Sequence, residues 1–228
     1  MILKASLCYN PRMRTNAYID ASNLFYGGKK SLGWSIDYKK LFDYLEDKYQ
    51  VGQVFFFGGV EIHKFPFDYL KDDSVPVKEL ERYLVKLIQE KGESLNEVEL
   101  KLLDRHLKRV RFYLTIEKFG YHMILKPVKT FFDTEGLPTR KANCDVDMAF
   151  FLMRDRKTYD RAVILSGDGD FLPVLKYLRA EDKKEIFILA HASRTAKEIK
   201  RFAAEKFLDF AYLRERLKRT DETNSKTP

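Results

Sequence analysis

Arg161-Ala-Val-Ile-Leu-Ser166-Gly-Asp168-Gly-Asp170-Phe171 is the stretch on which the reading of this chain turns. Ala162–Leu165 is a short apolar, β-branched run, the pattern of a buried strand. Ser166-Gly-Asp-Gly-Asp breaks it, and Phe171–Leu178 resumes at helical spacing with Pro173 in the first turn, where a missing N–H costs nothing. A strand that ends on Asp-Gly-Asp and turns into a helix sets two carboxylates at the strand's carboxyl end. In open α/β sheets that rim is where ligands bind. The plain alternative is a tight glycine turn with Asp170 as a helix N-cap.

Outward from this stretch the pattern recurs. Asn16-Ala-Tyr-Ile-Asp20 is a second apolar strand that stops on an aspartate, with Asn23 three residues on. An Asx turn and a helix cap are the plain readings of Asp20 and Asn23. Asn143-Cys-Asp145-Val-Asp147 opens a helix, where acids suit capping and the macrodipole. Positions i and i+2 diverge on a helix, so Asp145 is the first choice as a site acid and Asp147 the reserve.

The remaining elements alternate. Ile36–Lys48 is read as a helix, Gln53–Phe57 as a strand closed by Gly58-Gly59, and Tyr121–Lys126 as a third strand. Residues 63–95 read as an insertion with a helix over Val77–Glu90. Leu95–Phe119 follows as a helix bearing Lys101, Arg105, Lys108, Arg109 and Arg111, a basic face most simply read as solvated surface. Phe131–Arg140 reads as a loop. Glu185–Leu189 is a fifth strand, Thr195–Glu205 a helix with Ser193 or Thr195 as cap, Phe207–Phe210 an edge strand and Ala211–Arg219 a last helix. Gly27-Gly28-Lys29-Lys30 lacks P-loop spacing. His63, His106, His122 and His191 are scattered, which argues against histidine catalysis, although His191 stands at a strand end.

The expected fold is therefore α/β, Rossmann-like: a central, mostly parallel sheet of five or six strands, helices on both faces and a helical insertion. Residues 1–15 are expected to be a lead-in, 16–219 the domain and 220–228 a disordered tail.

Bulk composition bounds the function loosely. The 228 residues are 45% hydrophobic with a net charge of +8 and a pI near 9.2, which permits a polyanion partner without requiring one. Two cysteines, Cys8 and Cys144, lack metal-ligand spacing. The N-terminus makes a poor signal peptide and no run approaches the ~18 apolar residues of a membrane span. A cytoplasmic protein with no membrane partner is expected.

Asp20, Asp145, Asp168 and Asp170 fall on one rim in this reading. Facing carboxylates repel unless a cation is present. Hard oxygen ligands favour Mg²⁺ or Mn²⁺, and such an ion can activate water against a phosphodiester. That is metal-dependent nuclease chemistry.

Asp20-Ala-Ser-Asn23, Asn143-Cys-Asp145-Val-Asp147-Met-Ala and Leu165-Ser-Gly-Asp168-Gly-Asp170-Phe, in that order, also resemble the NYN domain, LabA-like branch, of the PIN-like nuclease superfamily. The resemblance covers about residues 16–210. It implies a PIN-type fold and a Mg²⁺- or Mn²⁺-dependent endoribonuclease. Asp20, Asp145 and Asp168 would be the metal-binding acids, Asp170 a nearby acid, and Asn23 and Ser166 polar supports. Ser22, Lys141, Ser166 and Arg194 are candidate substrate contacts. RNA, single-stranded, is the expected partner, and a homodimer is allowed. The chain departs from the pattern at Phe150-Phe151, where many relatives carry a further aspartate. A weakly catalytic RNA- or protein-binding regulator is the alternative. A haloacid-dehalogenase phosphatase is disfavoured, because Ser22 stands where its second aspartate is required.

Overall fold

The computed structural model describes residues 13–27, 33–132 and 138–220, with the side chains of 25–27, 93 and 130–141 left aside. The first-strand reading holds: β1 (Thr15–Asp20) is buried along its whole length. It lies between β2 (Val51–Val60) and β6 (Arg161–Leu165) in a six-stranded sheet ordered β3-β2-β1-β6-β7-β8. The other members are β3 (Tyr121–Pro127), β7 (Glu185–Ala190) and β8 (Phe207–Asp209), and every pairing is parallel. The chain winds outward from β1 in one direction and, after β6, in the other. The carboxyl ends of β1 and β6 therefore frame the switch point of the sheet.

Strands covered on both faces read as continuous apolar runs, and alternate residues supply two cores. Ala17, Ile19, Phe56, Val163, Leu165 and Leu189 face one layer, while Tyr18, Phe55, Phe57, Ile164 and Ile188 face the other. The first layer holds α2 (Tyr38–Tyr49), α3 (Val77–Lys91) and α4 (Glu97–Glu117). The second holds α5 (Asp145–Arg154), α6 (Leu172–Ala180) and α7 (Lys197–Ala203). Two short helices, α1 (Ala21–Gly27) and α8 (Arg214–Leu217), complete the described set. No helix among the described residues is long and apolar enough to cross a membrane.

Local chemistry sets the boundaries. Asp37 caps α2 by accepting from Lys39 N and Lys40 N, so the helix starts after Ile36, which bridges Lys218 instead. Asn96 and Glu99 form a capping box at α4. The segment read as an insertion packs into the first core through Val77, Leu80 and Leu84. Within the same segment, Val75 N donates to Leu125 O, and Ser74 Oγ accepts from Leu125 N while donating to Met123 O. This covers the outer edge of β3, which would otherwise be an open template.

Several expectations are corrected. Gly58-Gly59 does not close β2, which runs on to Val60. Gly59 is required there because a Cβ would lie 2.5 Å from the Ala142 Cβ. The expected loop at Phe131–Arg140 contains an antiparallel hairpin, β4 (Lys129–Phe132) with β5 (Pro138–Lys141), built on the strand-favouring run Val128-Lys-Thr-Phe-Phe. Neither Ser193 nor Thr195 caps α7: Ser193 Oγ bonds His191 Nδ1 and Thr195 Oγ1 donates to His191 O. The last helix shortens to a 3₁₀ turn, Phe210–Leu213, followed by α8. The Gly28-Lys29-Lys30 loop, the lead-in before Met13 and the tail from Asp221 lie outside the described residues.

Candidate active site

Asp20 ends β1 and is only 4% exposed. A buried carboxylate needs donors, and it has them. Oδ1 accepts from Ser22 Oγ (2.6 Å) and from Asn23 N (3.1 Å), while Oδ2 accepts from Ser166 Oγ (3.1 Å). Ser166, the first residue beyond β6 and itself buried, also accepts from Asp168 N at 3.3 Å. One hydroxyl thus joins the acid of β1 to the Gly-Asp-Gly turn after β6, across the switch point. Asp168 Oδ1 in turn accepts from Asp170 N at 3.0 Å, so Asp168 is the capping residue and Asp170 is exposed.

The glycines of this turn answer to close packing. A Cβ on Gly167 would meet Thr195 Oγ1 at 2.6 Å and Thr195 Cα at 2.9 Å. One on Gly169 would meet Glu198 Oε1 at 2.6 Å. Ala196 N also donates to Gly167 O at 2.9 Å. The segment between β7 and α7 is therefore locked against the acidic turn.

The start of α5 shares the same electrostatic field. The buried Cys144 thiol is pushed up to about 12, chiefly by burial and then by the carboxylates of Asp147, Asp145 and Asp20, with Lys126 partly offsetting them. Asp147 forms an ion pair with Lys126 Nζ at 3.0 Å, which ties up the reserve acid. Phe151 is core, in edge contact with Phe55 and Phe57, whereas Phe150 is exposed.

The structure does not bring every expected residue together. Among the described residues, no three or more His, Cys, Asp or Glu side chains converge tightly enough to hold an ion. Asp20, Asp145 and Asp168 therefore do not form a closed ligand shell. The donor set of carboxylate and hydroxyl oxygens still suits a hard cation that keeps most of its waters and takes one or two protein carboxylates. Arg194 is exposed in the turn after β7. Lys141 lies opposite Lys129 in the hairpin register, and its side chain is outside the described residues. On the basic face of α4, Lys101 pairs with Glu97, Lys108 with Asp104, and Arg111 with Glu81 of α3. The large open cavity, about 590 Å³, lies at the opposite rim beside Thr15, Asn16 and Gly52. Volume does not mark the chemistry here.

Two features escaped the reading of the sequence. Glu198 sets a further carboxylate over the acidic turn. His63 and His106, far apart in the chain, contact each other through Nε2 and Nδ1, with Glu61 Oε1 3.7 Å from the other nitrogen of His106. Helical spacing alone puts His106 on the buried side of α4, but no spacing signal could have paired it with a residue on the β2 exit.

The family model of the NYN domain matches residues 102–214, a span that takes in Asp145, Asp147, Ser166, Asp168 and Asp170. This is an NYN-domain chain. It is similar to LabA, the low amplitude and bright protein of Synechococcus elongatus, at 22% identity over 210 residues, covering 91% of this chain and 89% of LabA. A Vibrio parahaemolyticus protein of unknown function has a similar fold, with a TM-score of 0.56 and 15% identity over 88% of this chain and 94% of that one. A structure of T5 5′-exonuclease with bound zinc aligns at a TM-score of 0.41 with 16% identity, over 82% of this chain and 60% of that one, too loosely to carry any argument. Asp20, the most buried acid of the rim, lies outside the matched span and belongs to the site by geometry alone.

Proposed function

We propose that this NYN domain is a metal-dependent endoribonuclease acting on single-stranded RNA. The observation that carries the reading is the Ser166 hydroxyl, which donates to the buried Asp20 and accepts the Asp168 N–H across the switch point. Asp20 and Asp168 are thereby pre-positioned, and among the described residues no lysine or arginine pairs with either. One or two of Asp20, Asp145 and Asp168 would hold a largely hydrated Mg²⁺ or Mn²⁺, with Asp170 on the same turn and Asp147 paired with Lys126. When bound, the ion supplies positive charge against the phosphodiester and helps deprotonate the attacking water. Asn23 and Ser166 hold Asp20 in place, while Ser22, Lys141 and Arg194 are the proposed substrate contacts.

A second reading, an RNA- or protein-binding regulator of weak catalysis, is favoured by the lack of three converging acids among the described residues. Labelled single-stranded RNA and DNA, incubated with Mn²⁺, Mg²⁺ or EDTA, separate the two. The nuclease reading expects cutting of RNA in metal only, absent in Asp168→Asn. RNA binding without cutting in either metal overturns it in favour of the regulator, and preferential cutting of DNA overturns the substrate assignment.

A further inference from the structure

The histidine at the end of β7 has a more constrained place than a surface residue needs. His191 is the first residue beyond Ala190 and stands on the same rim as the acids. Its carbonyl accepts from Arg194 N at 3.0 Å and from Thr195 Oγ1 at 2.9 Å, and the next N–H, of Ala192, donates to Asp209 Oδ1 at 3.2 Å. Thr195 is the residue pressed against Gly167, so the His191 turn is fixed to the acidic turn through one side chain. The ring is fixed as well. Nδ1 bonds Ser193 Oγ at 2.8 Å, which leaves Nε2 as the nitrogen able to serve a ligand.

His191 lines a narrow, mostly apolar crevice at the switch point together with Asn23, Leu24, Leu165, Leu189 and Phe210. Asn23 follows Asp20 and gives it its backbone N–H. The crevice holds only about 10 Å³, room for about one water, so a nucleic-acid strand would lie across its mouth. The acids elsewhere on the same rim repel phosphate. A rigidly held donor on that rim gives the anion a place to bond that a hydrated cation alone does not specify.

We propose that His191 is a substrate-contacting residue of this site, its Nε2 donating a hydrogen bond to a phosphate of the bound strand, with Ser193 fixing the ring. This rests on the nuclease reading above and adds to it a contact outside the acidic set. Steady-state cleavage of a short single-stranded RNA in Mn²⁺, with melting temperatures recorded alongside, tests it in wild type, His191→Ala and His191→Gln. The alanine variant is expected to lose about tenfold to a hundredfold in kcat/KM, the effect of one hydrogen bond to a charged group, at an unchanged melting temperature. Glutamine keeps a donor and should recover most of that loss. An active wild type with an equally active His191→Ala overturns the inference alone. A glutamine variant as impaired as the alanine variant overturns the hydrogen-bond role in favour of proton transfer. A wild type that cuts no RNA in any metal overturns the nuclease reading and this inference with it.

Discussion

Along α4, Lys101 lies 2.5 Å from Glu97, Lys108 lies 2.6 Å from Asp104, and Arg111 reaches Glu81 at 2.9 Å. On the carboxyl rim, Asp20 is answered by two hydroxyls and a backbone N–H, and Asp168 by a backbone N–H. The first region carries many charges, and Lys101, Lys108 and Arg111 each have an acidic partner. Exposed pairs of that kind contribute about 0–1 kcal/mol each, and they leave little field for a ligand. On the second, no lysine or arginine among the described residues pairs with Asp20 or Asp168, while Asp147 is held by Lys126. A net charge of +8 is thus a poor guide to where this molecule meets a polyanion. What matters is which charges the chain leaves without an opposite partner of its own.

The largest effect expected on this contrast comes from Asp20→Asn. Cleavage should fall by about a hundredfold or more, while the melting temperature holds or rises, because a buried charge is removed and the neighbouring hydroxyls can turn to suit the amide. Thermal melts beside cleavage rates check this. A large drop in both would make Asp20 a structural cap only. Gly167→Ala comes next. Its Cβ must push Thr195 away, so urea unfolding should show a loss of about 1–3 kcal/mol. Lys101→Ala with Lys108→Ala should change stability by less than about 1 kcal/mol per pair and leave RNA cleavage as it was; a marked loss of cleavage would return the basic face of α4 to the substrate path.

The smallest effect concerns pH. Hydrogen bonds from the Arg14 side chain and backbone hold the Asp160 carboxyl below its usual range. A depressed carboxylate adds stability that is present above its unfolded pKa, about 3.9, and lost as pH falls through the folded value. The pair is well exposed, so the contribution is small. Urea midpoints of wild type and Asp160→Asn should differ slightly at pH 5 and converge near pH 3.

The legible parts of this molecule are those whose cause is local. β1, β6 and β7 are covered on both faces, so Ala17–Ile19, Ala162–Leu165 and Ile186–Leu189 had to be apolar, and their ends had to be marked by polar residues. The acids stand out because each interrupts such a run or opens a helix. Choices that depend on a partner from elsewhere stayed closed. Asp168 rather than Asp170 caps the turn, through a backbone geometry that Gly167 and Gly169 allow against the α7 segment. Asp145 and Asp147 look alike in the sequence, and nothing there signals the approach of Lys126 from β3 to Asp147. The same holds for His63 with His106, for Glu198 over Gly169, and for the hairpin in place of the loop at Phe131–Arg140.

Mn²⁺ binding followed by electron paramagnetic resonance tests the central claim most directly, since it reads the acidic rim without requiring any substrate. The account predicts saturable binding by the wild type, loss of it in Asp168→Asn and in Asp20→Asn, and no change in the Lys101→Ala, Lys108→Ala double variant. A wild type that binds no Mn²⁺, or an Asp168→Asn protein that binds it as well as the wild type, would contradict it.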